Sequence, residues 1–405
     1  MADSRAASKS VMVIVGDVSA DRHASYIIRH FNDSEASVKF WGVGGDAMQE
    51  AGVELLHHLK DFGAAGITAS IKYIPTLIRI GNELIDQIES RKPDLVLLVD
   101  FGGFNMKIAK KVRKLYPELP ILYFISPQIW ASRPWRINGL KRNTSKMLVI
   151  FPFEEAIYRE KGVPARFVGH PLNEQIPKES QLVSRQELMA NVGLEESEPK
   201  ETLISIFPGS RKQELKDHSP VLLQAMEEIL ERRPHIRFLI SMASENLKEI
   251  FENSLRKSDM KERLGKEIFL INPADNYAAM YHADLVWAKS GTTTLEVAMF
   301  AKPMLIFYRG DWFSYLAVMV VKTIKNIGLP NLLAGKKLVP ELLQLDCSAK
   351  QFVRYSLDLL DVPGLRKEIS EELSSIRNRL GKGNYITNCA EEIRKILQLT
   401  PDNSA

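Results

Sequence analysis

Leu203-Ile204-Ser205-Ile206-Phe207-Pro208-Gly209-Ser210-Arg211 decides how this chain is read. An apolar run breaks into a glycine turn and a helical pattern follows, as expected for a strand buried in a parallel sheet and leaving it at its carboxyl end. Downstream, Leu285–Ala288 leads in the same way into Ser290-Gly291-Thr292-Thr293-Thr294-Leu295-Glu296. Both turns place small residues, hydroxyls and bare amides at a helix start, where unpaired N–H groups and a partial positive charge suit an anion. Arg211 adds a guanidinium, and Glu296, one turn into its helix, can accept from ribose hydroxyls. Neither turn is a nicotinamide-type fingerprint or a Walker loop. The expected ligand is therefore a nucleotide pyrophosphate held late in the chain. A plain Pro-Gly turn with an exposed Arg is the blander reading of the first turn.

The same alternation opens the chain. Val11–Val15 is a continuous apolar run that breaks at Gly16, and Asp21 is placed to cap an amphipathic helix carrying Ala24, Ile27 and Ile28. Val38–Val43 ends in Gly44-Gly45, and Leu95–Val99 ends in Asp100 and Gly102-Gly103; Ile121–Ile125 and Met147–Phe151 follow. Residues 1–173 thus read as a doubly wound, Rossmann-like α/β domain. Residues 174–200 are charge-rich and read as a linker with one short helix. From 201 to 365 the alternation restarts as a second domain of the same class, with a helix opened by Ser219-Pro220 as N-cap and first position. Residues 366–405 read as C-terminal helices. Ligands of such sheets bind beyond the carboxyl ends of the strands, where all these glycine turns lie, so the motifs are expected to face one cleft.

A length of 405 residues exceeds what one core supports, which also argues for two domains. Apolar content of 45% with 26% charged residues is ordinary for a globular chain, and a formal charge of +4 gives no sign of nucleic-acid binding. That balance suits phosphate ligands or an anionic membrane surface. Cys347 and Cys389 stand in no metal spacing and read as free thiols in a reducing compartment. The polar start MADSRAASKS lacks a signal-peptide core, and no apolar run reaches spanning length. An intracellular protein that does not cross the bilayer is expected.

Several residues are candidates for chemistry. Asp100 ends an otherwise apolar strand, where burial lifts a carboxyl pKa towards the range useful to a general base; capping of the next helix is the plainer role. Asn105 lies in the same turn. Asp17, Ser19 and Asp21 follow the first strand as a ligand loop or as an ordinary capped turn. Trp130, Arg133, Trp135 and Arg136 interleave aromatic and cationic groups that could stack on a sugar and hold an anion. His170 suits acid or base work, although a lone His is more often structural. Gly42-Val43-Gly44-Gly45 is only half of a dinucleotide fingerprint and reads equally as a tight turn. Phe62–Leu84 and Trp312–Ile327 are amphipathic, with Lys72, Arg79, Lys322 and Lys325 among apolar residues; they fit an interfacial anchor or core-facing helices.

Assembled, these blocks resemble the lipid-A-disaccharide synthase family, inverting glycosyltransferases of the GT-B fold. The resemblance runs from about Val11 to about Lys395. It rests on the Gly16–Asp21 loop, Asp100 with Phe104-Asn105, Ser126-Pro127 with Trp130-Ala131 and Arg136, Phe151-Pro152-Phe153-Glu154 and Gly169-His170-Pro171. It continues through Pro208-Gly209-Ser210-Arg211, Ser290-Gly291-Thr292 with Leu295-Glu296, Leu329-Pro330-Asn331-Leu332 and Pro340-Glu341-Leu342-Leu343-Gln344. Asp17 and Ala20 stand where the family usually has Glu and Gly, Gly103 replaces an acidic residue and Ser132 a Trp, all on the acceptor side.

The resemblance implies transfer from UDP-2,3-diacylglucosamine to 2,3-diacylglucosamine 1-phosphate, giving the β-1,6-linked disaccharide and UDP. Asp100 would be the acid/base near the acceptor and Arg211 a donor contact. Gly209, Ser210, Ser290, Gly291, Thr292, Thr293, Glu296 and Asn331 would lie on the UDP side. Asp17, Ser19, Asp21, Asn105, Trp130, Arg136 and His170 would lie on the acceptor side. No metal or other cofactor is needed in this scheme. Peripheral attachment to the inner face of the cytoplasmic membrane is implied, as is a tail that crosses back to the first domain; oligomeric state stays open. A UDP-sugar 2-epimerase, a non-catalytic UDP-sugar or lipid sensor and an undecaprenyl-linked N-acetylglucosaminyltransferase are the alternatives.

Overall fold

The computed structural model describes residues 8–34, 38–62, 74–132, 134–194, 201–310, 326–381 and 383–399. Residues 63–73 of the Phe62–Leu84 stretch, 312–325 of the Trp312–Ile327 stretch, and Arg133 lie outside the described residues. The chain divides into two compact units, residues 1–173 with 380–405, and residues 174–379.

The first unit is built on β1 (Lys9–Ile14), β2 (Val38–Gly44), β3 (Glu54–His58), β4 (Leu95–Val99), β5 (Ile121–Phe124), β6 (Lys146–Val149) and β7 (Ala165–Phe167). They form one parallel sheet in the order β3-β2-β1-β4-β5-β6-β7, with Met12 beside Trp41 on one side and Val96 on the other. Val11–Ile14 and Leu95–Val99 are fully buried because helices cover both faces. The helix Val18–Ser34 packs Ala24, Ile27, Ile28 and Phe31 inward, a helical spacing that puts one stripe on the sheet.

The second unit is built on β8 (Thr202–Phe207), β9 (Ile236–Ser241), β10 (Ile268–Ile271), β11 (Leu285–Lys289), β12 (Met304–Tyr308) and β13 (Glu341–Leu343). Its parallel sheet runs β10-β9-β8-β11-β12-β13. In each unit the chain works outward from the first strand and then reverses to the strand on its other side. The reversal points, β1/β4 and β8/β11, are where a doubly wound sheet opens a crevice for ligands.

Some local expectations change. The helix after β1 starts at Val18, and Asp17, not Asp21, takes the capping position by accepting from the Ala20 amide at 2.8 Å. The Ser219-Pro220 helix start does not occur. One helix runs Lys212–Arg232 with Pro220 inside it, because the turn at Gly209 already starts the helix and the apolar face continues through the proline. Ser219 donates its hydroxyl to the Leu215 carbonyl at 2.6 Å within that helix.

The 174–194 stretch belongs to the second unit instead of standing apart. Arg185, in the helix Arg185–Asn191, donates to the carbonyls of His282 and Glu201 at 3.1 and 2.6 Å. In the tail, Leu365–Arg379 stays with the second unit, burying Ile369, Leu373 and Ile376. The return to the first unit begins at Leu380. There Tyr385–Leu397 buries Tyr385, Cys389, Ile393 and Leu397 in the first core.

Candidate active site

In the second unit, the exits of β8 and β11 enclose a cavity of about 370 Å³ lined by Pro208, Gly209, Ser210, Gly291, Thr292 and Thr293, with Lys289 on its wall. Gly209 has φ +116°, and a Cβ there would stand 2.7 Å from a Glu214 carboxylate oxygen, so only glycine makes this turn without strain. Glu214 is buried and receives Lys289 Nζ at 3.0 Å, while the Arg211 guanidinium is 3.6 Å away and largely exposed. The cavity is therefore lined by a cation, the hydroxyl-bearing residues Ser210, Thr292 and Thr293, and the start of the helix Thr292–Met299, an arrangement suited to a diphosphate.

The other residues expected on this side do different things. Ser290 donates its amide to the Phe307 carbonyl at 2.8 Å, which continues the sheet. Thr294 is buried and returns its hydroxyl to the Gly291 carbonyl at 2.8 Å, a local cap. Burial raises the Glu296 carboxyl above its ordinary value. Asn331 is fully buried. Its amide donates to the Val339 carbonyl and Glu341 at 2.9 and 2.8 Å, and its oxygen accepts from the Leu338 and Val339 amides. Glu341 also accepts from the Ile327 and Gly328 amides, so Leu329–Leu332 and Pro340–Gln344 form one structural clasp.

In the first unit Asp100 stands just past β4, at the other reversal point. Burial, reinforced by the charge of Asp17, raises its pKa to about 6. Asp100 and Phe101 both adopt left-handed backbone, with φ 48° and 52°. Such residues cost of order 1–3 kcal/mol each and persist where neighbours over-determine them. Here Tyr123 Oη and Asn105 Nδ2 donate to the Asp100 carbonyl at 2.6 and 3.0 Å, and the Asp100 amide donates to the Phe124 carbonyl at 2.9 Å. Asn105 is wholly buried and also reaches the Val99 carbonyl at 3.3 Å. Its place is beneath the site, holding Asp100, and not at a surface open to a substrate.

Asp21 likewise points at backbone: it accepts from the amides of Gly45, Ala47 and Met48 at 2.6, 3.0 and 3.2 Å, fastening the loop after β2. Ser19 Oγ lies 3.4 Å from His23 Nε2. Trp130 is 6% exposed and donates to Glu154 at 2.8 Å among Phe151 and Phe153, so it packs as core and offers no open stacking face. His170 is 6% exposed, accepts from the Leu172 amide at Nδ1 at 3.1 Å, and burial beside His23 lowers its pKa to about 3. A neutral ring at that depth orients a loop.

Arg136 lines a second cavity of about 590 Å³ that begins at Phe101, the residue after Asp100. The helices Ile74–Arg91 and Gly102–Leu115 wall it with Leu77, Ile78, Phe104 and Ile108, and Lys107 and Lys111 stand among them. Ile74 and Ile78 are 46% and 56% exposed and extend the apolar wall of this cavity to the surface.

Residue-by-residue reading missed Lys289 and Glu154. Lys289 carried a signal: like Asp100, it is a charged residue ending an apolar strand. Glu154 is buried, accepts from Ser126 Oγ at 3.2 Å as well as from Trp130, and burial raises its pKa to about 7. Nothing in the spacing of Phe151–Glu154 announced that depth. Among the described residues no group of three or more His, Cys, Asp or Glu side chains is placed to hold a metal ion, and no helix is long and apolar enough to cross a membrane.

Residues 11–395 match the model of a family described as lipid-A-disaccharide synthetase. A lipid-A-disaccharide synthase of Syntrophus aciditrophicus is 34% identical over 92% of this chain and 94% of its own. Lipid-A-disaccharide synthase 1 of Legionella pneumophila is 33% identical over 91% and 93%. Among solved structures, a UDP-GlcNAc 2-epimerase from Neisseria meningitidis bound to UDP-GlcNAc aligns over 96% of this chain and all of its own, with TM-score 0.61 and 14% identity. A glycosyltransferase from Rickettsia africae aligns over 98% and 100% with TM-score 0.59 and 12% identity. These likenesses establish the plan of two Rossmann-like units, that of GT-B proteins.

Proposed function

The chain belongs to the lipid-A-disaccharide synthetase family and is a glycosyltransferase of lipid A disaccharide synthesis; on that premise we propose that it transfers 2,3-diacylglucosamine from UDP to 2,3-diacylglucosamine 1-phosphate with inversion. Asp100 is the general base. It takes the proton of the acceptor 6-hydroxyl as that oxygen attacks the anomeric carbon, and the bond from that carbon to the β-phosphate oxygen breaks with its electron pair leaving on UDP. The observation that carries this reading is the Asp100 carboxyl, pushed up to about 6 at the reversal point of the sheet. Such a group is ionised yet basic at neutral pH.

The second unit holds the donor: Gly209, Ser210, Thr292 and Thr293 seat the diphosphate, and Arg211 and Lys289 counter the charge that grows on the leaving oxygen. Asp17, Ser19 and Arg136 serve the acceptor directly; Asn105, Asp21, Trp130 and His170 shape the loops around it. The apolar groove between Ile74–Arg91 and Gly102–Leu115 takes acyl chains, with Lys107, Lys111 and Arg136 for a phosphate. Exposed Ile74 and Ile78 beside these cations support a peripheral seat on the inner face of the cytoplasmic membrane.

The test is direct. Purified protein is incubated with both substrates in detergent micelles containing EDTA, and the disaccharide phosphate is sought by mass spectrometry. Product with a β-linked anomeric signal supports the reading. UDP binding without product, or epimerised UDP-sugar formed without acceptor, overturns it.

A further inference from the structure

His218 is fully buried in the helix Lys212–Arg232, where the apolar stripe would accept a leucine. Its ring touches two backbone groups that the sheet leaves unpaired. Nδ1 lies 2.8 Å from the carbonyl oxygen of Pro208, and Nε2 lies 3.1 Å from the amide nitrogen of Arg309. Pro208 follows β8 and Arg309 follows β12, each one residue past the end of its strand. In the sheet these two strands are not neighbours, because β11 runs between them. The imidazole therefore spans from the exit of one strand to the exit of the other, past the end of β11, where Lys289 stands.

The two partners fix the tautomer. An amide N–H can only donate, so Nε2 accepts; a carbonyl can only accept, so Nδ1 carries the hydrogen. A second ring proton would face the Arg309 N–H and break that contact. Burial holds the ring's proton affinity below its ordinary value, with Glu214 opposing that effect and Lys289 adding to it. Phe307 and Tyr308 meet the ring edge-on at centroid distances of 5.1 and 6.2 Å and leave it little room to turn.

We propose that His218 is a positioning residue for the donor: it ties the Pro208-Gly209-Ser210 turn to Arg309 and so holds that turn in the conformation that receives a diphosphate. This rests on the second unit being the donor seat. Pro208, Gly209 and Ser210 line the cavity, so a shift of the Pro208 carbonyl moves the turn that follows it. No apolar side chain of similar size can meet either backbone group, and a buried amide or carbonyl left without a partner favours rearrangement of its loop.

The experiment is UDP titration calorimetry on the full chain, wild type against His218→Leu, with histidine-ring nitrogen NMR of the wild type. We expect UDP affinity to fall about tenfold in His218→Leu, following the loss of two buried hydrogen bonds. Donor KM should rise with it, while kcat at saturating donor is largely kept. His218→Asn keeps a donor near Pro208, and His218→Gln keeps an acceptor near Arg309; each should recover part of the affinity if both ties matter. The ring should be protonated at Nδ1. A folded His218→Leu protein binding UDP within about twofold of wild type, or a ring protonated at Nε2, overturns the proposal. If the Leu variant does not fold, unchanged affinity in both the Asn and Gln variants overturns it. Failure of the wild type to bind UDP would instead sink the donor reading, and this inference with it.

Discussion

Lys289 Nζ and Glu214 Oε1 meet at 3.0 Å, joining the end of β11 to the first turn of the helix that follows β8. The contact is largely buried and links the two strand exits that line the cavity of the second unit. The other Glu214 oxygen is buried with no hydrogen-bond partner among the described residues, and it lies where a side chain on Gly209 would go. The Pro208-Gly209-Ser210 turn is thus shaped by one carboxylate that holds the lysine and crowds the glycine.

Gly209→Ala should therefore weaken UDP binding more than global stability. Left-handed backbone costs an alanine roughly 1–2 kcal/mol, and the new Cβ must also displace the Glu214 oxygen. A loss of about tenfold in UDP affinity with a small fall in melting temperature is expected. Calorimetry and a melting curve on the same preparation check it; full affinity would mean that this turn does not seat the diphosphate.

Asp100→Asn should lower turnover by on the order of 10²-fold or more. The same change should stabilise the fold at neutral pH. A carboxyl raised to about 6 contributes stability at low pH, below its unfolded value near 3.8, and that contribution is lost as pH rises through 6. Removing the charge recovers on the order of 1–3 kcal/mol above that range. Denaturant titrations at pH 5 and pH 8 measure the difference, which should be larger at pH 8. In the wild type, kcat/KM should rise with pH through about 6, because the base must be ionised.

Ile78→Glu should separate the two halves of the reaction. Ile78 lines the apolar groove and is otherwise more than half exposed, so the fold should tolerate the change. Losing burial of one such side chain against an acyl chain is worth about 1.5–3 kcal/mol, or roughly 10- to 100-fold in acceptor KM. UDP affinity should not move. An unchanged KM for acylated acceptor would remove the groove from the site.

Glu392→Gln should unfold the first unit more readily. Glu392 lies in the returning helix Tyr385–Leu397 and is 3% exposed. Burial alone would raise its carboxyl pKa, but Lys146, Arg166 and Lys395 together hold it down to about 2. Arg166 meets it at 2.6 Å and Lys395 at 3.0 Å. Breaking a fully buried pair costs about 3–5 kcal/mol, but Lys146 and Arg166 are partly exposed and Lys395 largely so, and a smaller loss of about 1–3 kcal/mol is expected. Because the carboxyl is depressed in the folded state, its contribution is present above the ordinary carboxyl range near 4.5 and is lost as pH falls towards 2. Equal stability of mutant and wild type at pH 7 by denaturant titration would contradict this.

The sheets were legible because parallel strands buried on both faces are continuous apolar runs, as in Val11–Val15 and Leu203–Phe207. The short edge strands β3, β7 and β13 were not, since a run such as Glu54–His58 or Ala165–Phe167 carries no such signature. Pro220 misled for a related reason. Local rules place proline at a helix start, yet the packing of Leu215, Val221 and Leu222 carries one helix past it.

What the sequence by itself determined is the class of the fold, the family and the turns at which ligands would sit, since these follow from local pattern and residue type. Which of those polar residues are buried against backbone and which line a cavity was decided only by tertiary structure. Asp100 and Asn105 share a turn, as do Thr293 and Thr294, and no spacing rule separates the members of either pair. Depth does: Asn105, Asp21, Asn331 and Thr294 are buried against backbone groups that must find partners, so their side chains turn inward. Lys289, at the end of β11, and Thr293, in the helix that follows it, line the cavity of the second unit, while Asp100 stands just past β4 and Arg211 is largely exposed at the start of its helix.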